Sequence, residues 1–279
     1  MPARYPERIV CLTEETTETL YLLGEERRIV GISGYTVRPP RARREKPRVS
    51  AFLSAKTDRI LELKPDLVLG FSDLQADIAR DLAKAGLNIM IFNQRSVDEI
   101  LSMILTLASM VGAAEKGAAL VSQFEKNLSS IREAAKAFPR RPRVYFEEWD
   151  QPMISGIRWV SELIEIAGGQ DVFAEQSRSQ AASGRVVQDP KEVIRREPDV
   201  ILASWCGKKF RPERVESRPG WKEIPAVRDG QLFEIKSADI LQPGPAALTD
   251  GVRRMHAILS DYFRDSLSGG GRTRRPGAG

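Results

Sequence analysis

The chain repeats one arrangement of apolar and polar positions, once in each half. Residues 57–71 read TDRILELKPDLVLGF and residues 190–204 read PKEVIRREPDVILAS, an offset of 133. Only Pro65/Pro198, Asp66/Asp199 and Leu69/Leu202 are identical. What repeats is an amphipathic turn of helix, a Pro-Asp break and four apolar residues. Proline cannot continue a helix and pushes the residue before it out of the helical region, so helix must give way there. A short apolar run after such a break predicts a strand buried on both faces, as in a parallel sheet. The repeat extends further. Arg8-Ile-Val-Cys-Leu12 matches Arg143-Val-Tyr-Phe-Glu147, and the helix ending at Gly24 matches the one ending at Gly168. Two similar α/β lobes with a cleft between them are expected.

The first lobe reads as strand 8–12, helix 16–23, strand 28–32, a Pro/Arg-rich loop 38–48, helix 57–63, strand 66–70, helix 75–85 and strand 88–92. Helices closed by glycine and alternating with short apolar strands are the mark of βαβ units. Ser96 with Glu99 forms a capping-box pattern that starts a helix. After Gly112 a second segment runs to about Ala137, where Pro139 stops it. Its apolar residues Val121, Phe124, Leu128, Ile131, Ala135 and Phe138 recur at 3-4-3-4-3, one continuous stripe. At 1.5 Å per residue this helix spans roughly 37 Å, a stiff connector that predicts only small lobe rotation. The second lobe reads as strand 143–147, helix 159–167, helix 190–196, strand 199–203, strand 231–235 and a last helix 247–263. The predicted organisation is therefore a lobe over 1–94, a linking helix over 95–139, a lobe over 140–263 and a disordered tail over 264–279. The fold class is α/β, two lobes with parallel sheets joined by a long rigid helix.

Composition narrows the chemistry. With 42% hydrophobic and 29% charged residues in 279, the chain is an ordinary globular one. The net charge of +5 is local: residues 38–48 hold six basic side chains, and the tail holds more. These read as a solvated loop and tail, with an anion-contacting rim as the sharper alternative. No recognition motif makes the charge a nucleic-acid surface. Cys11 and Cys206 fall in different lobes and read as reduced, mostly buried thiols. No stretch approaches a membrane span, and the amino-terminal MPARYPERIVCL is not a signal peptide, so the chain is expected to be cytoplasmic unless a leader has been removed.

The single histidine, His256, is expected on the solvent face of the last helix. One histidine argues against zinc and di-iron sites and against a Ser-His-Asp arrangement. The motifs of α/β-hydrolases, metalloproteases, P-loops and dinucleotide folds are missing. No catalytic residue, metal ligand or cofactor is predicted.

Aromatic residues, by contrast, stand where parallel α/β sheets bind ligands, beyond the carboxyl ends of strands. Tyr35, Phe71, Trp149 and Trp205 each follow a predicted strand, and Phe52 and Trp159 lie in connecting segments near the same edge. Each also fits a lid on its lobe's core, but four strands ending in this way suit a large, flat, partly apolar ligand. Thr13, Glu14, Glu15, Ser50, Ser72 and Gln242 occupy equivalent loop positions and would supply polar contacts.

In this order, R-I-V-C-L, T-E-T-L-Y-L-L-G, I-L-E-L-K-P-D-L-V-L-G, the central helix and E-P-D-V-I-L-A-S resemble the substrate-binding proteins of ABC importers for cobalamin, haem and ferric siderophores. The resemblance covers about residues 7–263. Glu148-Trp149-Asp150, Gly156 to Trp159, Trp205-Cys206-Gly207 and Arg218-Pro219-Gly220-Trp221 are most similar to the cobalamin-binding branch. The resemblance implies a monomeric binder of cobalamin or a related corrinoid, held between two lobes without catalysis and delivered outside the cytoplasm to an ABC permease. In the family a surface glutamate on each lobe engages the permease; here Asp73 or Asp77, and Glu213 or Glu216, occupy those places. A ferric-siderophore or haem binder is the alternative within the family, with Arg38, Arg41 and Arg158 pairing an anionic siderophore. Outside it stand a cytoplasmic ligand-sensing or storage protein that kept the fold, and a two-lobed enzyme using Glu14, Glu15 or Glu147 as acid or base.

Overall fold

In the computed structural model, which describes residues 5–51 and 54–267, the first half alternates strand and helix as expected. It runs β1 (Ile9–Cys11), α1 (Glu14–Leu22), β2 (Ile29–Ser33), α2 (Ala42–Glu45), β3 (Arg48–Ser50), α3 (Thr57–Glu62), β4 (Leu67–Phe71), α4 (Ala76–Lys84), β5 (Ile89–Phe92), α5 (Val97–Met110) and α6 (Ala114–Ala135). The second half runs β6 (Arg143–Asp150), β7 (Met153–Ser155), α7 (Arg158–Ile166), β8 (Gln170–Asp171), α8 (Lys191–Arg196), β9 (Val200–Ala203), α9 (Pro212–Glu216), α10 (Pro225–Arg228), β10 (Leu232–Glu234), α11 (Ser237–Ile240) and α12 (Val252–Leu267).

There are two separate sheets. One is all parallel in the order β3-β2-β1-β4-β5; the other has the order β10-β9-β6-β7, with β8 also on β6. Within the second sheet β7 folds back antiparallel on β6, an exception to the parallel expectation. Strands β1, β4 and β9 are apolar and wholly buried, as strands covered on both faces are, whereas β6 is buried over Val144–Glu147 and carries carboxylates at its carboxyl end.

Where the expectation missed elements, the reason is local. Strand β3 is three residues led in by Lys46-Pro47, too short and too basic to show a period, and α2 is one turn inside the same basic stretch. The capping box forms as written: the Ser96 hydroxyl accepts from the Glu99 amide at 3.2 Å, and the Glu99 carboxylate accepts from the Ser96 amide at 3.1 Å. Along α6, Val121, Phe124, Leu128 and Ile131 are buried, as the stripe predicts. With 22 residues, α6 is about 33 Å long.

The chain folds into two compact units. Unit 1 holds the chain to Leu128 together with Arg158–Glu162 and Lys236–Gly251; unit 2 holds Ser129–Ile157, Leu163–Ile235 and the chain from Val252. Each unit keeps one sheet, but the boundaries differ from 94 and 140. Two pieces of the second half fold into unit 1, held by specific bonds. The Val97 amide donates to Glu162 at 2.7 Å, Gln94 Nε2 donates to the Pro243 carbonyl at 3.0 Å, and Asn127 Nδ2 donates to the Leu248 carbonyl at 2.8 Å. Gly244 is required there: a Cβ on it would lie 2.4 Å from that of Glu15.

In unit 2, Gly168 ends α7 with φ +100°, a conformation glycine adopts without penalty. His256 is not on the solvent face. It is half-buried, stacked on Phe138 at 5.3 Å, with Nδ1 3.0 Å from the Ala167 carbonyl. The thiols are free, but only Cys11 is buried; Cys206 is exposed. The last helix runs to Leu267 rather than 263, so the predicted tail is helical at 264–267; its remainder and Phe52 lie outside the described residues.

Candidate functional site

At the carboxyl end of the unit 1 sheet, β1 passes through Thr13 into α1, whose first turns carry Glu14, Glu15 and Glu18. All three are buried. Glu14 Oε1 accepts from the backbone amides of Val37 and Arg38 at 3.0 and 2.9 Å, so its carboxylate pins the chain after β2. Burial pushes its carboxyl up to about 7, against the pull of those two amides. Glu15 Oε1 accepts from the Thr13 hydroxyl at 2.7 Å while Oε2 has no partner; burial pushes this carboxyl up to about 7 as well. Glu18 is raised by burial, opposed by Arg38.

Arg38 spreads its guanidinium over three carboxylates of the same unit: Glu18 at 2.9 Å, Asp239 at 3.1 Å and Asp250 at 2.8 Å. Arg41 is paired with Glu26 at 2.6 Å, and Arg158 with Glu162 at 2.8 Å. The three arginines named for an anionic siderophore are therefore already engaged by protein carboxylates.

The other predicted residues of unit 1 divide into exposed and packed. Tyr35, one residue past Gly34 at the end of β2, is 61% exposed. Phe71 ends β4 and is buried under the Arg95 guanidinium, 4.6 Å from the ring centre, with the Gln75 side chain accepting from its amide. Ser72 caps the turn after β4 by accepting from the Leu74 amide at 3.3 Å. Ser50 is buried and its hydroxyl has no partner; Gln242 is half-buried. Trp159 was expected with the second lobe but packs in unit 1, 3% exposed, donating its indole N–H to the Ile240 carbonyl at 2.9 Å.

In unit 2 the carboxyl ends of β6 and β9 are built around two buried carboxylates. Glu147 receives both Arg218 guanidinium nitrogens at 2.6 and 2.9 Å, the Trp205 indole N–H at 3.0 Å and the Tyr145 hydroxyl at 3.1 Å. This saturated carboxylate holds Trp205 in the core of the unit, edge-on to Phe210 and 1% exposed. Asp150 is bracketed by the Lys208 ammonium and by Arg214 at 2.9 Å. Burial would raise its carboxyl, but the two cations outweigh that and hold it below the usual range. Lys208 also lies over the half-buried Trp149 ring at 4.0 Å, and Trp149 donates its own N–H to the Gln151 carbonyl. Lys208, Arg214 and Arg218 were not anticipated. The signal was present in their spacing after Trp205, but only the fold shows which carboxylate each one serves.

Among the described residues Glu14 is bonded to two backbone amides, Glu15 to the Thr13 hydroxyl and Glu147 to Arg218, Trp205 and Tyr145, so the acid-base reading gains nothing from this geometry. Two parallel-sheet units with glycine-closed helices, aromatic strand ends and a long helix between the halves define a class III periplasmic binding protein architecture.

Comparison with known proteins bears this out. The chain matches the periplasmic binding protein family over residues 9–238 and belongs to it; these are solute binders of ABC importers, not enzymes. It is 25% identical to the ABC transporter substrate-binding lipoprotein YvrC of Bacillus subtilis over 93% of this chain and 82% of that one. It is 29% identical to the vitamin B12-binding protein of Yersinia pestis over 73% of this chain and 71% of that one. The solved apo structure of the periplasmic haem-binding protein RhuT from Roseiflexus sp. RS-1 superimposes with a TM-score of 0.76 at 25% identity, covering 91% of this chain and 99% of that one.

Proposed function

We propose that the protein binds cobalamin or a related corrinoid and presents it to an ABC importer outside the cytoplasm. The observation that carries this reading is the pairing pattern of the strand-end side chains. Arg38, Arg41 and Arg158 are spent on carboxylates, whereas Tyr35 is open and the Trp149 ring is part-exposed. Surfaces of that kind take a large flat ligand by apolar and ring contact rather than an anionic chelate by arginine forks. The vitamin B12-binding relative supports the same choice. Phe71 and Trp159 are packed within unit 1 and Trp205 within unit 2, and Gln242 offers a polar contact.

Incubation with cyanocobalamin, hemin or ferrichrome, followed by desalting and absorbance spectroscopy, tests it. Co-eluting corrinoid absorbance is expected. Retention of hemin or ferrichrome alone overturns the corrinoid assignment and leaves the family membership intact. For the permease, exposed Glu213 on unit 2 and Asp73 beside exposed Leu74 on unit 1 are the proposed docking groups. Pull-down by a reconstituted permease should weaken when both are replaced by alanine.

A further inference from the structure

Unit 1 contains a second feature that the corrinoid reading does not use. A recess of about 650 Å³ opens around the edge strand β3, and Arg43, Lys46, Arg48, Lys56 and Arg59 line it together with Gly34 and Ser50. No carboxylate lines it among the described residues. Several other arginines of the unit are paired with acids: Arg28 with Glu25, Arg38 with three acids, Arg41 with Glu26 and Arg80 with Asp77. The five cations of the recess make no ion pair or side-chain hydrogen bond among the described residues. The Ser50 hydroxyl, buried at the end of β3, likewise has no partner.

Five like charges around one concavity create a positive field, and a buried hydroxyl without a partner costs free energy. Both are answered by the same occupant. We propose that this recess is a binding site for a small polyanion carrying several phosphate or carboxylate groups. Arg43, Arg48 and Arg59 would pair its oxyanions through charge-assisted hydrogen bonds, Lys46 and Lys56 would add point charges, and Ser50 would donate to a buried oxygen. The volume lies within the range of small-molecule pockets and suits a compact ligand rather than a polymer lying along a surface.

Isothermal titration at low ionic strength with tripolyphosphate, citrate and inorganic phosphate tests this on the full chain. Saturable binding of tripolyphosphate or citrate is expected, tighter than that of inorganic phosphate and weakened by added salt. Arg48→Ala with Lys56→Ala should reduce affinity at least about tenfold. Arg80→Ala with Lys136→Ala, which removes the same charge elsewhere, should change it less than about twofold. Ser50→Ala should weaken binding a few-fold without altering its salt dependence. Absence of saturable binding, or equal loss in the two double variants, overturns the proposal. So does adsorption to phosphatidylglycerol-containing vesicles without binding of any soluble polyanion, since that outcome makes the patch a membrane contact. Retention of cyanocobalamin is read separately, so failure of either assignment is distinguishable from failure of the other.

Discussion

The two units bury carboxylates at the same place, the carboxyl ends of their central strands, and satisfy them by opposite means. Unit 1 offers Glu14 and Glu15 backbone amides and a hydroxyl, and burial pushes both up to about 7. Unit 2 surrounds Glu147 and Asp150 with Arg218, Lys208 and Arg214. Asp150 consequently stays below the usual carboxylate range. Depth of burial is thus a poor guide to charge state; the partner decides. Unit 1 keeps neutral acids that respond near pH 7, and in unit 2 the ion pairs of Asp150 fail only in acid.

The sharpest way to break this contrast is to remove one carboxylate from unit 2. Glu147→Ala leaves Arg218 buried without its counter-charge and frees the Trp205 indole and the Tyr145 hydroxyl. A loss of about 3–5 kcal/mol is expected by urea denaturation. A loss under about 1 kcal/mol would show that the network contributes nothing to stability.

The next effect concerns pH in unit 1. The native state holds protons on Glu14 and Glu15 that the unfolded chain releases between its ordinary value of 4.5 and about 7. Stability should therefore be greatest at the acid end of that window and decline as pH rises through it, by up to about 3 kcal/mol per group. Glu15→Gln should raise Tm at pH 7.5 by several degrees and leave it nearly unchanged at pH 5. An equal shift at both pH values would refute the neutral carboxyl. Asp150 and Asp199, held low, contribute above their ordinary value and lose that contribution only as pH falls through their depressed values.

A smaller difference separates the two Pro-Asp repeats. Asp66 accepts from the Glu7 and Arg8 amides at 2.7 and 3.0 Å; Asp199 accepts from the Arg143 amide at 2.7 Å. Both clamp the first strand of their sheet. Asp199 also receives the Arg140 fork at 2.7 and 3.0 Å. Asp199→Ala should cost about 2 kcal/mol and Asp66→Ala about 1 kcal/mol in thermal unfolding. Equal costs would erase the distinction. Smallest of all, Trp149→Ala should weaken cyanocobalamin about fourfold and Tyr35→Ala about twofold by fluorescence titration, both with unchanged Tm. A falling Tm with intact affinity would make these rings structural.

The repeated Pro-Asp phrase explains how much of the fold was legible. Its proline stops a helix, its apolar run makes a doubly covered strand, and its aspartate ties that strand to the first one of the sheet. All of that is local chemistry. The antiparallel β7 and the three-residue β3 were not legible, since neither is long enough to carry a period. For the site, the spacing placed aromatic residues after strands but could not tell Tyr35, open to solvent, from Trp205, enclosed by Phe210 and tied to Glu147. Nor could it show that Arg38 is consumed by Asp239 and Asp250, some two hundred positions away. Long-range pairing leaves no periodic trace.

Gly244 and its neighbours carry a consequence for how the protein is made. Unit 1 includes residues 236–251, and its helix α1 is packed at Glu15 against a glycine that admits no side chain. A nascent chain therefore cannot finish its first-begun unit until residues 236–251 have left the ribosome. Through most of synthesis the acidic face of α1 lacks its cover, and Glu18 lacks the Ala246 amide that donates to it at 3.1 Å. Unit 1 is started first but closed only after most of unit 2 has been made, so loss of residues 236–251 should injure the amino-terminal sheet's surroundings without touching its strands.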